Sequence, residues 1–101
     1  MKLNLLERVV LLNILPQESN FITLKIVNDL KNSLSFTEEE YKYYNVKQDN
    51  SKITWDLTGN EEKEISIGEK ATDIIIEQLK KLDEQKKLTM DMYSIYSKFI
   101  G

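Results

Sequence analysis

Phe21-Ile-Thr-Leu-Lys-Ile-Val-Asn-Asp-Leu-Lys-Asn-Ser-Leu34 can be read in two ways. Ile22, Leu24 and Ile26 alternate as in a strand, whereas Leu24, Val27, Leu30 and Leu34 recur at helical spacing. The helical pattern runs to the end of the stretch, and the alternation covers only its first half. Helix is therefore the expectation, with Ser19 or Asn20 as its cap. That choice decides the fold class, because a helix here pairs with the segment before it.

The preceding segment, Leu5 to Leu15, is apolar at eight of eleven positions. A helix that is apolar nearly all round belongs in the centre of a fold. Asn4 and Glu7 have capping-box spacing at its start, and Pro16 stands where the helix must end. The two helices, joined by Gln17 to Asn20, form an αα-hairpin. The segment is too short to span a membrane and is interrupted by Glu7, Arg8 and Asn13. Those charges, with no small-residue cleavage site after them, also argue against a signal peptide.

Downstream, Ser35 to Val46 reads SFTEEEYKYYNV. Thr37 and Glu40 match a T-x-x-E capping box, and Phe36 and Tyr41 have the spacing of a hydrophobic staple. Glu38 and Glu39 fall in the first helical turn, where the dipole favours carboxylates. A short third helix over Thr37 to Tyr44 is predicted. Tyr44 shares the face of Tyr41, but Tyr43 lies about 200° round the helix from Tyr41. Two placements stay open for Tyr43: packed on a following hairpin, or exposed as a contact residue. Leu88, Thr89 and Tyr93 repeat the staple spacing and predict a second capped helix start.

The apolar period then changes to two at Val46, Ile53 with Trp55, and Ile65 with Ile67. Turn residues separate these stretches at 49–51 and 58–60. One small antiparallel hairpin or meander is expected, with Ile53–Trp55 and Ile65–Ile67 as its apolar face. A helix from about Glu69 to Leu82 follows, with Ala71, Ile75, Leu79 and Leu82 as its stripe. A last helix runs from about Met90 to Phe99, with Met92, Ile95, Tyr96 and Phe99 inward. Gly68 is read as a turn or cap residue, not as part of a phosphate loop.

The prediction is thus one α+β, mainly helical domain over residues 1–101, in the order α-α-α-β-β-α-α with a small antiparallel hairpin. This is the order of a winged helix-turn-helix, and order alone does not fix function. In the winged-helix comparison the third helix would enter the major groove. Here that helix leads with Glu38, Glu39 and Glu40 and offers only Lys42. Carboxylates at that edge repel phosphate and argue against DNA.

Composition narrows the chemistry further. The 101 residues include no Cys and no His. That removes Ser-His-Asp and Cys-His catalysis and the common zinc sites. No nucleophile motif or cofactor loop is present, so the chain is read as neither an enzyme nor a cofactor protein. Zero cysteines suits a cytoplasmic location. Net charge is −3; residues 37–69 hold nine acidic and four basic side chains, and the two flanking segments are each +1. Glu61, Glu62 and Glu64 beside Asp56 do not match a calcium-loop register and read as solvated turn carboxylates. Lys80, Lys81, Lys86 and Lys87 interleave with Asp83 and Glu84 and read as a salt-paired helix end.

LNLLERVVLLNILPQESNFITLKIVNDL, SLSFTEEE and ISIGEKATDIIIEQLKKLDEQKKLT together resemble small proteins encoded in phage and prophage-like genomes. The resemblance covers most of the chain and implies a bacterial or phage source and a cytoplasmic accessory role. It brings no assigned activity and no functional residues.

The expected function is a small protein-interaction or regulatory module. Its candidate protein-binding residues are Glu38, Glu39, Lys42 and Tyr43, because aromatic side chains anchor interfaces. One alternative is nucleic-acid binding through Lys80, Lys81, Lys86 and Lys87. Another is homo-oligomerisation through Tyr93, Tyr96 and Phe99.

Overall fold

The computed structural model describes residues 1–49, 52–56 and 61–101. Helices dominate: α1 (Leu5–Ile14), α2 (Phe21–Leu34), α3 (Glu38–Tyr43), α4 (Glu69–Glu84) and α5 (Tyr93–Phe99). Among the described residues, four short strands accompany them: β1 (Lys2–Leu3), β2 (Lys47–Asp49), β3 (Lys52–Thr54) and β4 (Lys63–Glu64). The fold is α+β and mainly helical, as the sequence predicts.

The ambiguous stretch is a helix throughout. The Asn20 side chain accepts from the Thr23 amide at 2.8 Å, satisfying a first-turn donor. Val27, Leu30 and Leu34 are its buried residues, while Ile22 is 70% exposed. The fully buried positions, Val27, Leu30 and Leu34, all follow the helical spacing, and of the alternating set only Ile26 packs against the core.

α1 packs against α2, α4 and the turn that leads into α5, so it is the central helix. Its Leu11, with Leu30 and Leu34 of α2 and Ile75 and Leu79 of α4, is part of the buried core, closed by Leu3, Ile65 and Ile95. The predicted stripe of α4 is buried at Ala71, Ile75 and Leu79.

The strands pair differently from the expected single meander. β2 pairs antiparallel with β3, aligning Gln48 with Ile53. β4 pairs with β1, aligning Lys2 with Glu64. Ile65 therefore enters the core beside Leu3 and does not form a face with Ile53 and Trp55. Ile53 and Trp55 are half-buried and lie outside the core cluster. The turn predicted at 58–60, and Asn50 and Ser51 of the earlier one, lie outside the described residues.

Two helices end alike. After α3, the Asn45 amide donates to the Lys42 carbonyl and that of Val46 to Tyr41. After α4, Lys86 donates to Asp83 and Lys87 to Leu82. Each is a Schellman motif, which needs a left-handed residue at its centre. Asn45 (φ 50°) and Lys86 (φ 57°) take that role without glycine.

Candidate functional site

The predicted contact residues lie on α3, and their placement starts two helices earlier. Arg8 is 1% exposed on α1. Its Nε donates to the Leu34 carbonyl at 3.1 Å and its NH2 group to that of Ser35 at 2.8 Å. These carbonyls close α2, whose last turn lacks internal donors. The NH1 and NH2 groups donate to both carboxylate oxygens of Glu40. The guanidinium also lies 4.6 Å from the centre of the Phe36 ring, a cation–π contact. One side chain therefore ends α2, fixes the 35–37 connection and anchors the first turn of α3.

The α3 start is built as its spacing predicts. The Glu40 amide donates to Thr37 Oγ1 at 3.1 Å and the Thr37 amide to Glu40 Oε1 at 3.0 Å. Phe36 and Tyr41 meet edge to face, centroids 5.8 Å apart. Burial pushes the Glu40 carboxyl up, but the Arg8 hydrogen bonds, the Thr37 amide and the charges of Arg8 and Lys63 outweigh it. They hold its pKa at about 2. Glu40 is thus committed to structure.

Its neighbours are not. Glu38, Glu39 and Lys42 are exposed, and Tyr43 is 64% exposed. Of the two placements for Tyr43, the exposed one is found. Its ring is braced edge-on by Tyr44 at 4.8 Å. The Tyr44 hydroxyl donates to Glu61 at 3.3 Å, and the Asp56 amide donates to the Tyr44 carbonyl at 2.9 Å. Partial burial, then the Glu61 carboxylate, raises the pKa of Tyr44. The face is therefore an acidic, aromatic surface on a short helix fixed from below.

The other carboxylates disperse. Glu61 takes the Tyr44 hydroxyl, Glu62 takes Lys98, and Glu64 lies 2.7 Å from the Met1 amine. Among the described residues, no three acidic side chains converge as metal ligands. Lys80, Lys81, Lys86 and Lys87 are exposed, and none forms an ion pair with a described residue. The expected salt pairing with Asp83 and Glu84 is absent among the described residues, and the Schellman turn takes Lys86 and Lys87 off the helix line.

At the opposite end, Lys98 of α5 donates to the Lys2 carbonyl (2.9 Å), to Glu7 (2.8 Å) and to Glu62. Glu7 also accepts from the Asn4 amide at 3.0 Å, completing the predicted capping box of α1. Burial acts to raise the Glu7 pKa, but Lys98 and the Asn4 amide hold it below the usual carboxylate range. Thr89 does not cap. It precedes a 3₁₀ turn over Met90–Met92 and makes no side-chain cap hydrogen bond. Tyr93 is 69% exposed, Tyr96 and Phe99 are half-buried against the core, and Met90 is 84% exposed. The exposed pair Phe21 (80%) and Ile22 was also missed, since a helical pattern does not say which face a first turn shows.

No protein-family model, curated protein or solved structure matches this chain. Among the described residues, no helix is long and apolar enough to cross a membrane.

Proposed function

We propose that this chain is a small non-catalytic interaction or regulatory module whose contact face is α3. The observation that carries the reading is Tyr43, 64% exposed on a helix that Arg8 and Glu40 fix in place. A large aromatic ring held rigid in water is the kind of side chain that anchors protein interfaces at low entropic cost. Glu38 and Glu39 beside it favour a basic partner surface and disfavour polyanions. The lack of cysteine supports a cytoplasmic setting, and the phage-type resemblance supports an accessory role.

A photo-crosslinking amino acid at position 43, introduced in the source cells, tests this. One dominant adduct is expected, and it disappears when Glu38→Lys and Glu39→Lys are added. Diffuse labelling that those changes leave untouched would overturn the reading. So would retention on DNA at low salt that only Lys80→Glu, Lys81→Glu, Lys86→Glu and Lys87→Glu abolish. All the residues changed are exposed, so circular dichroism should show an intact fold throughout.

A further inference from the structure

Two exposed apolar features lie away from α3, and they have opposite shapes. The first is a knob. Phe21 and Ile22, 80% and 70% exposed, stand on the first turn of α2. Lys25 is four residues after Phe21 and three after Ile22, so the three share one patch of helix surface. The second is a groove of about 500 Å³ where α4 gives way to α5. Leu88, Met92 and Tyr96 pack on the core beneath it. Met90 and Tyr93 form its exposed wall. Asp83 also lines it, accepting from the Tyr96 hydroxyl at 3.4 Å.

One pair of charges is complementary across the two features. Lys25 beside the knob and Asp83 in the groove lining form no ion pair with any described residue. A methionine wall adapts its shape to an incoming side chain. A groove of this size suits one aromatic and one branched aliphatic group.

We propose that Phe21 and Ile22 of one copy seat in the Met90–Tyr93 groove of a second copy, with Lys25 facing Asp83. The contact joins two different patches, so it is heterologous, and every copy offers both halves. α3 takes no part in it. Each assembly would carry more than one α3 face, which raises avidity for a partner with repeated sites.

Sedimentation equilibrium of the full chain is expected to show concentration-dependent association. Phe21→Ser and Tyr93→Ser should each weaken it by about 30-fold, the scale for truncating an interface anchor. The decisive measurement mixes the two variants. Labelled Phe21→Ser chain keeps the groove, and Tyr93→Ser chain keeps the knob. The mixture should associate where neither variant does alone. Lys25→Glu should weaken that mixture when placed on the knob chain, and Asp83→Lys on the groove chain should restore it. A wild-type chain that stays monomeric at millimolar concentration would overturn the proposal. So would association that both serine variants leave unchanged, or variants that fail to complement. Ile22→Ser and Met90→Ser provide a second pair if either first variant fails to fold.

Discussion

Glu7 and Arg8 are consecutive on α1 and each is only 1% exposed, yet they hold opposite ends of the molecule in different ways. Neighbours on a helix point about 100° apart, so one reaches α3 and the other α5. Arg8 is sealed. Its forked donors meet two carbonyls and both oxygens of Glu40, with Phe36 over the guanidinium. Glu7 is tethered by Lys98, which is 28% exposed and shared with Glu62 and the Lys2 carbonyl. A guanidinium fixes direction as well as charge, whereas an ammonium is a mobile point charge. The α3 end is therefore locked, and the α5 end is held by a bond that water can reach.

Breaking the lock should have the largest effect. Arg8→Met strands a mostly buried Glu40 carboxylate and two carbonyls. It should cost about 3–5 kcal/mol, read from the urea midpoint. Amide exchange should show α3 losing protection before α1 and α4. Acid tests the same contact. Glu40 titrates at about 2 when folded against 4.5 in its unperturbed state. A lowered carboxyl pKa stabilises the fold above the unfolded value, and that stability is lost as pH falls towards the folded one. Unfolding midpoints should therefore drop between about pH 5 and pH 2. In Arg8→Met the drop should be much shallower.

Lys98→Met tests the other end. It should cost about 1.5–3 kcal/mol, the scale of a hydrogen bond to a charged group, because the Asn4 amide remains on Glu7 and solvent can approach. A loss equal to that of Arg8→Met would erase the distinction between the two ends. The smallest effects separate the two threonines. Thr37→Ala should cost about 1 kcal/mol in a thermal melt, and Thr89→Ala close to nothing, since only the first makes a cap bond.

Those threonines also show how far the sequence could be read. Both capping boxes were legible, because Asn4 with Glu7 and Thr37 with Glu40 are local and the chemistry is complete within four residues. Thr89 has the same staple spacing, but Met92 stands where a box needs a carboxylate, and the first turn tightens to 3₁₀. Each such residue advances about 120° rather than 100°, which carries Tyr93 off the face its spacing implied. The stripes of α2 and α4 were legible for the same local reason. Arg8 with Glu40 was not, because the partners are 32 residues apart and either reads alone as an ordinary surface charge. The pairing of β1 with β4 was hidden likewise. Strands of two residues carry almost no pattern of their own, and Ile65 correctly signalled burial without naming its neighbour. For the candidate site, the helical angle separated Tyr43 from Tyr41. Its exposure depended on where the hairpin passes, which no local rule sets.

Between Leu34 and Ile65, both in the core, no described residue is buried. That stretch includes Phe36, Tyr41, Tyr43, Tyr44 and Trp55, five of the nine aromatic residues in the chain. Its described part is held by the Arg8–Glu40 contact, by the Phe36 ring against Arg8 and Tyr41, and by backbone pairing, rather than by burial in the core. Substitutions at its exposed positions that make no cap or ion pair, such as Glu38, Glu39, Lys42 and Tyr43, typically change stability by no more than about 0.5 kcal/mol. The exposed face of α3 can therefore be rewritten residue by residue under selection for a new partner, while the helical body keeps its fold. The guanidinium of Arg8 is the fixed point that lets the rest vary.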